Sequence, residues 1–299
     1  MRQFENFVCI DWSGEAVARP RGLAVARCEI GSDAPILQRP GKGWSRSLIT
    51  DRMLHQAEAK ANVLIGVDFS PALPFVDRDA FFPGWPRTPH AGPALWELVD
   101  RLSENDPYLG CSSFVDHVEA RRHFRRHGGR EGDLFGGGAG RMRVVENQCR
   151  KTGLGAAQSC FNLVGPAQVG KSSLTGMRML HQLNGKISIW PFNPVPDEGP
   201  VIVEIYTTIA ARAASVRGGS KLRTWEALDA ALSSPSVGSR VTKRSGPIDD
   251  HSSDAVLTAA WLRRASMQPA LWERPPSRIA DTEGWTFGVP YPKGPGVPV

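Results

Sequence analysis

The sequence predicts an α/β fold built on a mixed sheet, and three features predict it. Phe7-Val-Cys-Ile-Asp11 is an apolar run that ends on a single carboxylate and breaks at Ser13-Gly14. Val63-Leu-Ile-Gly-Val-Asp68 repeats the device. Between them lie a short strand-like stretch and one stretch with helical periodicity. That order returns a strand parallel to the first through a right-handed crossover. As neighbours, the two strands carry both acids to one edge of the sheet, where ligand sites of open α/β sheets form.

The elements follow in chain order. Residues 22–30 read as a strand antiparallel to the first, and Ile36-Leu-Gln begins a third. Leu48, Ile49, Met53, Leu54 and Ala57 recur at helical spacing within 45–61, with Ser45 or Ser47 as cap. From about 72 to 165 the pattern becomes an irregular insertion rich in Pro, Gly and Arg, carrying one helix over 93–103. Its residues 118–143 hold the most basic run and a glycine loop at 136–140. Further on come a helix over 175–183, strands over 186–191 and 201–206, and helices over 210–216 and 225–232 around a Gly218-Gly219-Ser220 turn. An alanine-rich helix over 250–266 and a Pro/Gly-rich tail over 275–299 close the chain. There is no repeat and no clean linker, so 1–299 is read as one domain with an insertion.

Composition bounds the function. Hydrophobic residues make up 41% and charged residues 22% of the 299, the balance of a globular protein. No apolar run nears the ~20 residues of a membrane helix, and the N-terminus lacks the pattern of a signal peptide. The five cysteines form no C-x-x-C pair. They are expected to be buried, reduced thiols in a cytoplasmic protein. A formal charge of +6 permits a polyanionic partner.

Two chemistries compete. Gly165-Pro-Ala-Gln-Val-Gly170-Lys171-Ser172 matches the P-loop pattern letter for letter. There Lys171 and Ser172 would meet phosphate and Mg²⁺, in an ATP or GTP enzyme. Pro166 removes one of the loop amides, and no downstream strand ends in a magnesium-binding aspartate. The other chemistry uses the acids. A carboxylate in an apolar strand costs several kcal/mol unless it is paired or binds a metal. Asp11, Asp68, Glu204 and Asp254 all sit in such company, and two-metal phosphodiester hydrolysis needs carboxylates that converge from separate elements. Asp250 and Asp254 are spaced i,i+4, and His251 and Asp254 i,i+3, so they share a helix face. Capping of that helix by Asp250 or Ser252 favours Asp254 as the ligand. Glu204 as a salt-bridge residue remains an open alternative.

The ordered motifs Ile10-Asp11-Trp-Ser-Gly14, Val67-Asp68-Phe-Ser-Pro71-Ala-Leu-Pro74, Val203-Glu204-Ile-Tyr206 and Asp249-Asp250-His251-Ser-Ser-Asp254-Ala255 carry a resemblance. Together with the closing Glu283-Gly-Trp-Thr-Phe-Gly288, they resemble the uncharacterised bacterial and archaeal proteins predicted to be RNase H-like nucleases. The chain departs from that pattern between Asp68 and Pro71, and at Tyr206-Thr207, where the family has His or Tyr and then Pro. The resemblance implies a mixed sheet with strands 1–3 antiparallel and strands 1, 4 and 5 parallel, flanked by helices. It also implies a metal-dependent nuclease or phosphoryl-transfer activity on nucleic acid, with Mg²⁺ or Mn²⁺. Asp11, Asp68 and Asp254 would bind metal, Glu204 would complete the cluster, and Asp250 or His251 would assist. Lys171 and Ser172 would contact phosphate, and Arg121, Arg122, Arg125 and Arg126 would contact nucleic acid. The same arginines would serve a catalytically inactive nucleic-acid binder.

Overall fold

The computed structural model describes residues 2–165, 168–216 and 220–292. Pro166 and the glycines of the 218–220 turn lie outside them. The strands are β1 (Asn6–Asp11), β2 (Ala24–Glu29), β3 (Ile36–Gln38), β4 (Val63–Asp68), β5 (Ser188–Trp190) and β6 (Val201–Glu204). They form one sheet in the order β3-β2-β1-β4-β6-β5. β1 pairs antiparallel with β2 and β2 with β3, whereas β1–β4, β4–β6 and β6–β5 are parallel. The strand beside β4 is therefore the sixth in sequence, and the fifth lies outside it.

Central position explains the apolar runs. β1 and β4 are covered on both faces, so alternate residues enter two different cores. Val8, Ile10, Val63, Ile65 and Val67 face one core with α1 (Arg46–Glu58), α2 (Gly92–Leu102) and α5 (Gly170–Leu183). Phe7, Cys9, Leu64 and Val203 face the other with α6 (Thr207–Ala213), α7 (Trp225–Leu232) and α8 (Asp250–Ala265). α8 packs directly on β1 and β2. Its small buried residues Ala255, Ala259 and Ala260 let it lie close to the sheet. Ser45 caps α1 by accepting from the Leu48 amide at 3.2 Å.

The insertion is more ordered than its composition implies. Besides α2 it holds α3 (Ser112–Asp116) and α4 (Val144–Lys151). Phe114, Phe124, Phe135 and Phe161 are buried in the first core, and Phe82 meets Phe114 and Phe161 edge-on. Each such side chain contributes about 1.5–3 kcal/mol by leaving water, and together they anchor a Gly- and Pro-rich segment to the core. The tail is likewise packed as far as residue 292. A short helix, α9 (Ser277–Ala280), precedes Trp285 and Phe287, both buried. All five cysteines are free and buried.

Candidate active site at the sheet edge

Register brings the acids together. Asp11 is paired with Asp68 across β1 and β4, and Val67 with Glu204 across β4 and β6. Three carboxylates thus reach the same edge on consecutive neighbouring strands. α8 adds two more groups. Its N-cap is Asp249, not Asp250 or Ser252, because the Asp249 carboxylate accepts from the Ser252 amide at 2.8 Å and hydroxyl at 2.7 Å. Those bonds hold the Asp249 carboxyl below its ordinary range despite partial burial. Starting there, the helix presents His251 and Asp254 to the strand ends. Asp250 turns outward to Arg223 at 3.2 Å.

Charge at this edge is incompletely balanced. Asp11 is 6% exposed, and its Oδ2 lies 3.2 Å from Nδ1 of His251. Burial pushes the Asp11 carboxyl up, the His251 contact opposes that, and Asp254 adds to it. The Asp68 carboxyl is raised well above the usual range by burial, then by Asp11 and Asp254; hydrogen bonds from the Thr207 amide and, at a long 3.4 Å, from its Oγ1 oppose this. Asp254 accepts from Lys221 Nζ at 2.7 Å, and that lysine is half exposed. The Asp11 hydrogen bond in turn raises His251 above its ordinary value.

Glu204 meets a different partner. Arg143, just before α4, grips it with two guanidinium bonds of 3.0 and 2.6 Å. Thr286 Oγ1 donates to it at 2.9 Å. The same guanidinium reaches Glu146 at 2.9 Å and Ser70 at 2.9 Å. Glu283 completes the assembly by accepting from the amides of Phe75, Val76 and Val144 at 2.6–2.8 Å. Arg143, Glu146, Glu204 and Glu283 are all nearly inaccessible. The closing Glu283–Gly288 motif therefore ties the insertion to β6. Asp68, Arg143 and Glu204 line one cavity of about 250 Å³. Arg143, Glu283, Thr207 and Lys221 were not singled out by the sequence. For Arg143 and Glu283 the available signals were the Arg141-Met-Arg143 cluster and the closing motif, and neither names a partner.

The 165–172 stretch opens α5, but residues 160–164 are not a strand of the central sheet. They cross the insertion through a lone bridge between Arg125 and Asn162. Ser172 Oγ is committed to the Val169 carbonyl at 2.7 Å. The P-loop arrangement of sheet strand, loop and helix is therefore missing among the described residues. Lys171 instead lines a second cavity, together with Trp12 and His251. A Cβ on Gly14 would stand 2.4 Å from the Lys171 carbonyl carbon and the Ser172 nitrogen, so the turn after β1 rests on the backbone of α5. Of the basic run, Arg122 pairs with Asp133 at 2.7 Å, Arg126 with Asp116 at 3.1 Å and Arg125 with Glu131 at 3.8 Å. Arg121 is exposed. Much of that positive charge is neutralised within the insertion.

Among the described residues, no three His, Cys, Asp or Glu side chains form a ready-made metal cage. The donors nonetheless suit a hard divalent cation in kind, because carboxylate oxygens are what Mg²⁺ and Mn²⁺ take. Asp11, Asp68 and Asp254 also lack the full counter-charge that Glu204 has. Compared with models of protein families, with curated proteins and with solved structures, the chain matches none. No described helix is long and apolar enough to cross a membrane.

Proposed function

We propose that the chain is an RNase H-like, metal-dependent nuclease or phosphoryl-transfer enzyme acting on nucleic acid. The observation that carries this reading is the in-register pair Asp11 and Asp68, joined at the same edge by Asp254. An antiparallel β3-β2-β1 meander followed by the parallel strand β4 supports the RNase H-like assignment. The cluster would hold Mg²⁺ or Mn²⁺, whose part is Lewis acidity and the activation of water.

The chain's own residues divide the remaining work. Asp11, Asp68 and Asp254 supply the ligand oxygens. His251 orients Asp11 through Nδ1, leaving its other ring nitrogen free to exchange a proton at the edge of the site. Lys221 balances Asp254. Glu204 is a positioning residue: locked to Arg143, it fixes the end of β6 beside Asp68. The buried free thiols suit a reducing, cytoplasmic setting.

Calorimetric titration of Mn²⁺ into the wild type and Asp11→Asn, with circular dichroism to verify folding, tests the proposal. The expected result is binding to the wild type alone, and Mn²⁺-dependent cleavage of labelled oligonucleotides that Asp11→Asn abolishes. Unchanged cleavage in Asp11→Asn would overturn the mechanism. Binding of oligonucleotide with neither metal uptake nor cleavage would leave an inactive nucleic-acid binder.

A further inference from the structure

Beside the carboxylates lies a second, larger cavity, a groove of about 710 Å³. It shares Trp12 and Ser172 with the cavity that holds Asp68, so the two adjoin. One wall is the turn after β1, where Ser13 and Gly14 lie against the first turn of α5. The opposite wall belongs to the insertion, around residues 110–116 and 126–130. His251 lines the groove and reaches the Asp11 carboxylate at 3.2 Å. A Cβ on Gly22 would lie 3.2 Å from its Nε2, so glycine there keeps the ring's approach open.

The groove is cationic. Lys171, Arg126 and Arg130 line it, opposed by Glu15 and Asp116, with the imidazoles of His127 and His251 beside them. Lys171, His127 and Arg130 are exposed. Asp116 is already paired with Arg126, yet Arg126 Nε is buried with no hydrogen-bond partner among the described residues. The Asp116 carboxylate therefore leaves the Arg126 guanidinium short of acceptors. Among the lining residues the only indole, phenyl or phenol ring is Trp12, which is buried and donates to Thr175 Oγ1 at 3.0 Å. It therefore offers no platform for stacking bases.

We infer that this groove takes one strand of nucleic acid by its phosphates, through Lys171, Arg126 and Arg130, and leads it past His251 to the carboxylates. Cationic grooves without base-edge or stacking contacts bind single strands with little sequence preference and strong salt dependence. At about 710 Å³ the groove is too small to enclose a duplex, so a single backbone is the form it takes in. The role of the insertion is thus to complete a wall of the groove, with Arg130 as a contact that its sequence did not distinguish from the paired arginines. The inference rests on the nuclease reading and names the form of its substrate.

Fluorescence anisotropy with short labelled single-stranded DNA and RNA of mixed sequence, and with the matching duplexes, tests it. EDTA is present so that no metal-dependent step intervenes. The expected result is tighter binding of single strands. Lys171→Ala and Arg130→Ala should each weaken binding several-fold and flatten the log-log salt dependence by about 0.7, the loss of one phosphate contact. Arg121→Ala, which is outside the groove, should change neither. Both test residues are exposed, and Lys171→Gln with Arg130→Gln provides a second pair that keeps side-chain bulk. Equal or tighter binding of duplex, or wild-type affinity and salt slope in both groove variants, would overturn the inference. Groove-dependent binding without cleavage after Mn²⁺ addition would retain the groove and remove the nuclease. Cleavage that needs Asp11 but ignores Lys171 and Arg130 would do the reverse.

Discussion

Two groups of carboxylates share one sheet edge and are balanced in opposite ways. Glu204 and Glu146 are closed by Arg143, a cation as buried as they are, with hydrogen bonds filling the remaining positions. Asp11, Asp68 and Asp254 are left to a half-exposed histidine, a half-exposed lysine and the amide and hydroxyl of Thr207. A buried ion pair is tolerated only when both partners stay and their hydrogen bonds are complete. The first group meets that condition within the chain. The second does not, and the difference separates a structural clamp from a place built to receive charge.

The comparison breaks most visibly at Arg143. Arg143→Met should strand Glu204 and Glu146 without a counter-ion and cost about 3–5 kcal/mol, read by urea unfolding. A loss below about 1 kcal/mol would mean that the clamp is not closed by this residue. At the other group the sign reverses. In metal-free buffer Asp11→Asn should leave stability unchanged or higher, because it removes a buried charge opposed by Asp254. Mn²⁺ at about a hundredfold its Kd should add about 2.7 kcal/mol to the wild type and nothing to the variant.

A third buried ionisable group is neither paired nor open. His123 is 2% exposed among Phe82 and Phe161, its Nδ1 has no partner among the described residues, and burial first, then Arg141, lowers its pKa to about 4. The unfolded state therefore binds the proton first as pH falls below the ordinary value near 6.5. The stability from neutral His123 is complete above that value and is lost between it and about 4. His123→Phe should move the midpoint of acid unfolding to lower pH, seen by tryptophan fluorescence; an unshifted midpoint would assign acid sensitivity to other groups. The smallest effect is expected at Lys221. Lys221→Ala should cost under about 1 kcal/mol, as exposed ion pairs do. It should also tighten Mn²⁺ binding several-fold by removing a resident cation from Asp254. Weaker Mn²⁺ binding would make Lys221 a support of the site instead.

The sequence by itself determined the antiparallel β1–β2–β3 strands, the parallel β4 and the placement of Asp11 and Asp68, while folding decided that β6 and not β5 lies beside β4. Apolar runs ending in Asp11 and Asp68 are legible because a doubly covered strand must be apolar throughout, so a carboxylate at its end stands out. Ser45, α1 and the alanine-rich α8 followed from local capping and periodicity. Tertiary structure alone decided which carboxylate receives which cation. Arg143 and Glu204 are separated by sixty-one positions, and nothing local distinguishes Arg143 from the other arginines of a basic run. Glu283 acts through three backbone amides brought together only by folding. The P-loop letters could not be judged locally for the same reason: a phosphate loop is a relation between a sheet strand and a helix, and residues 160–164 never enter the sheet. Order in the insertion was hidden because its phenylalanines are scattered without period, and burial in a shared core, not helical or strand propensity, holds them.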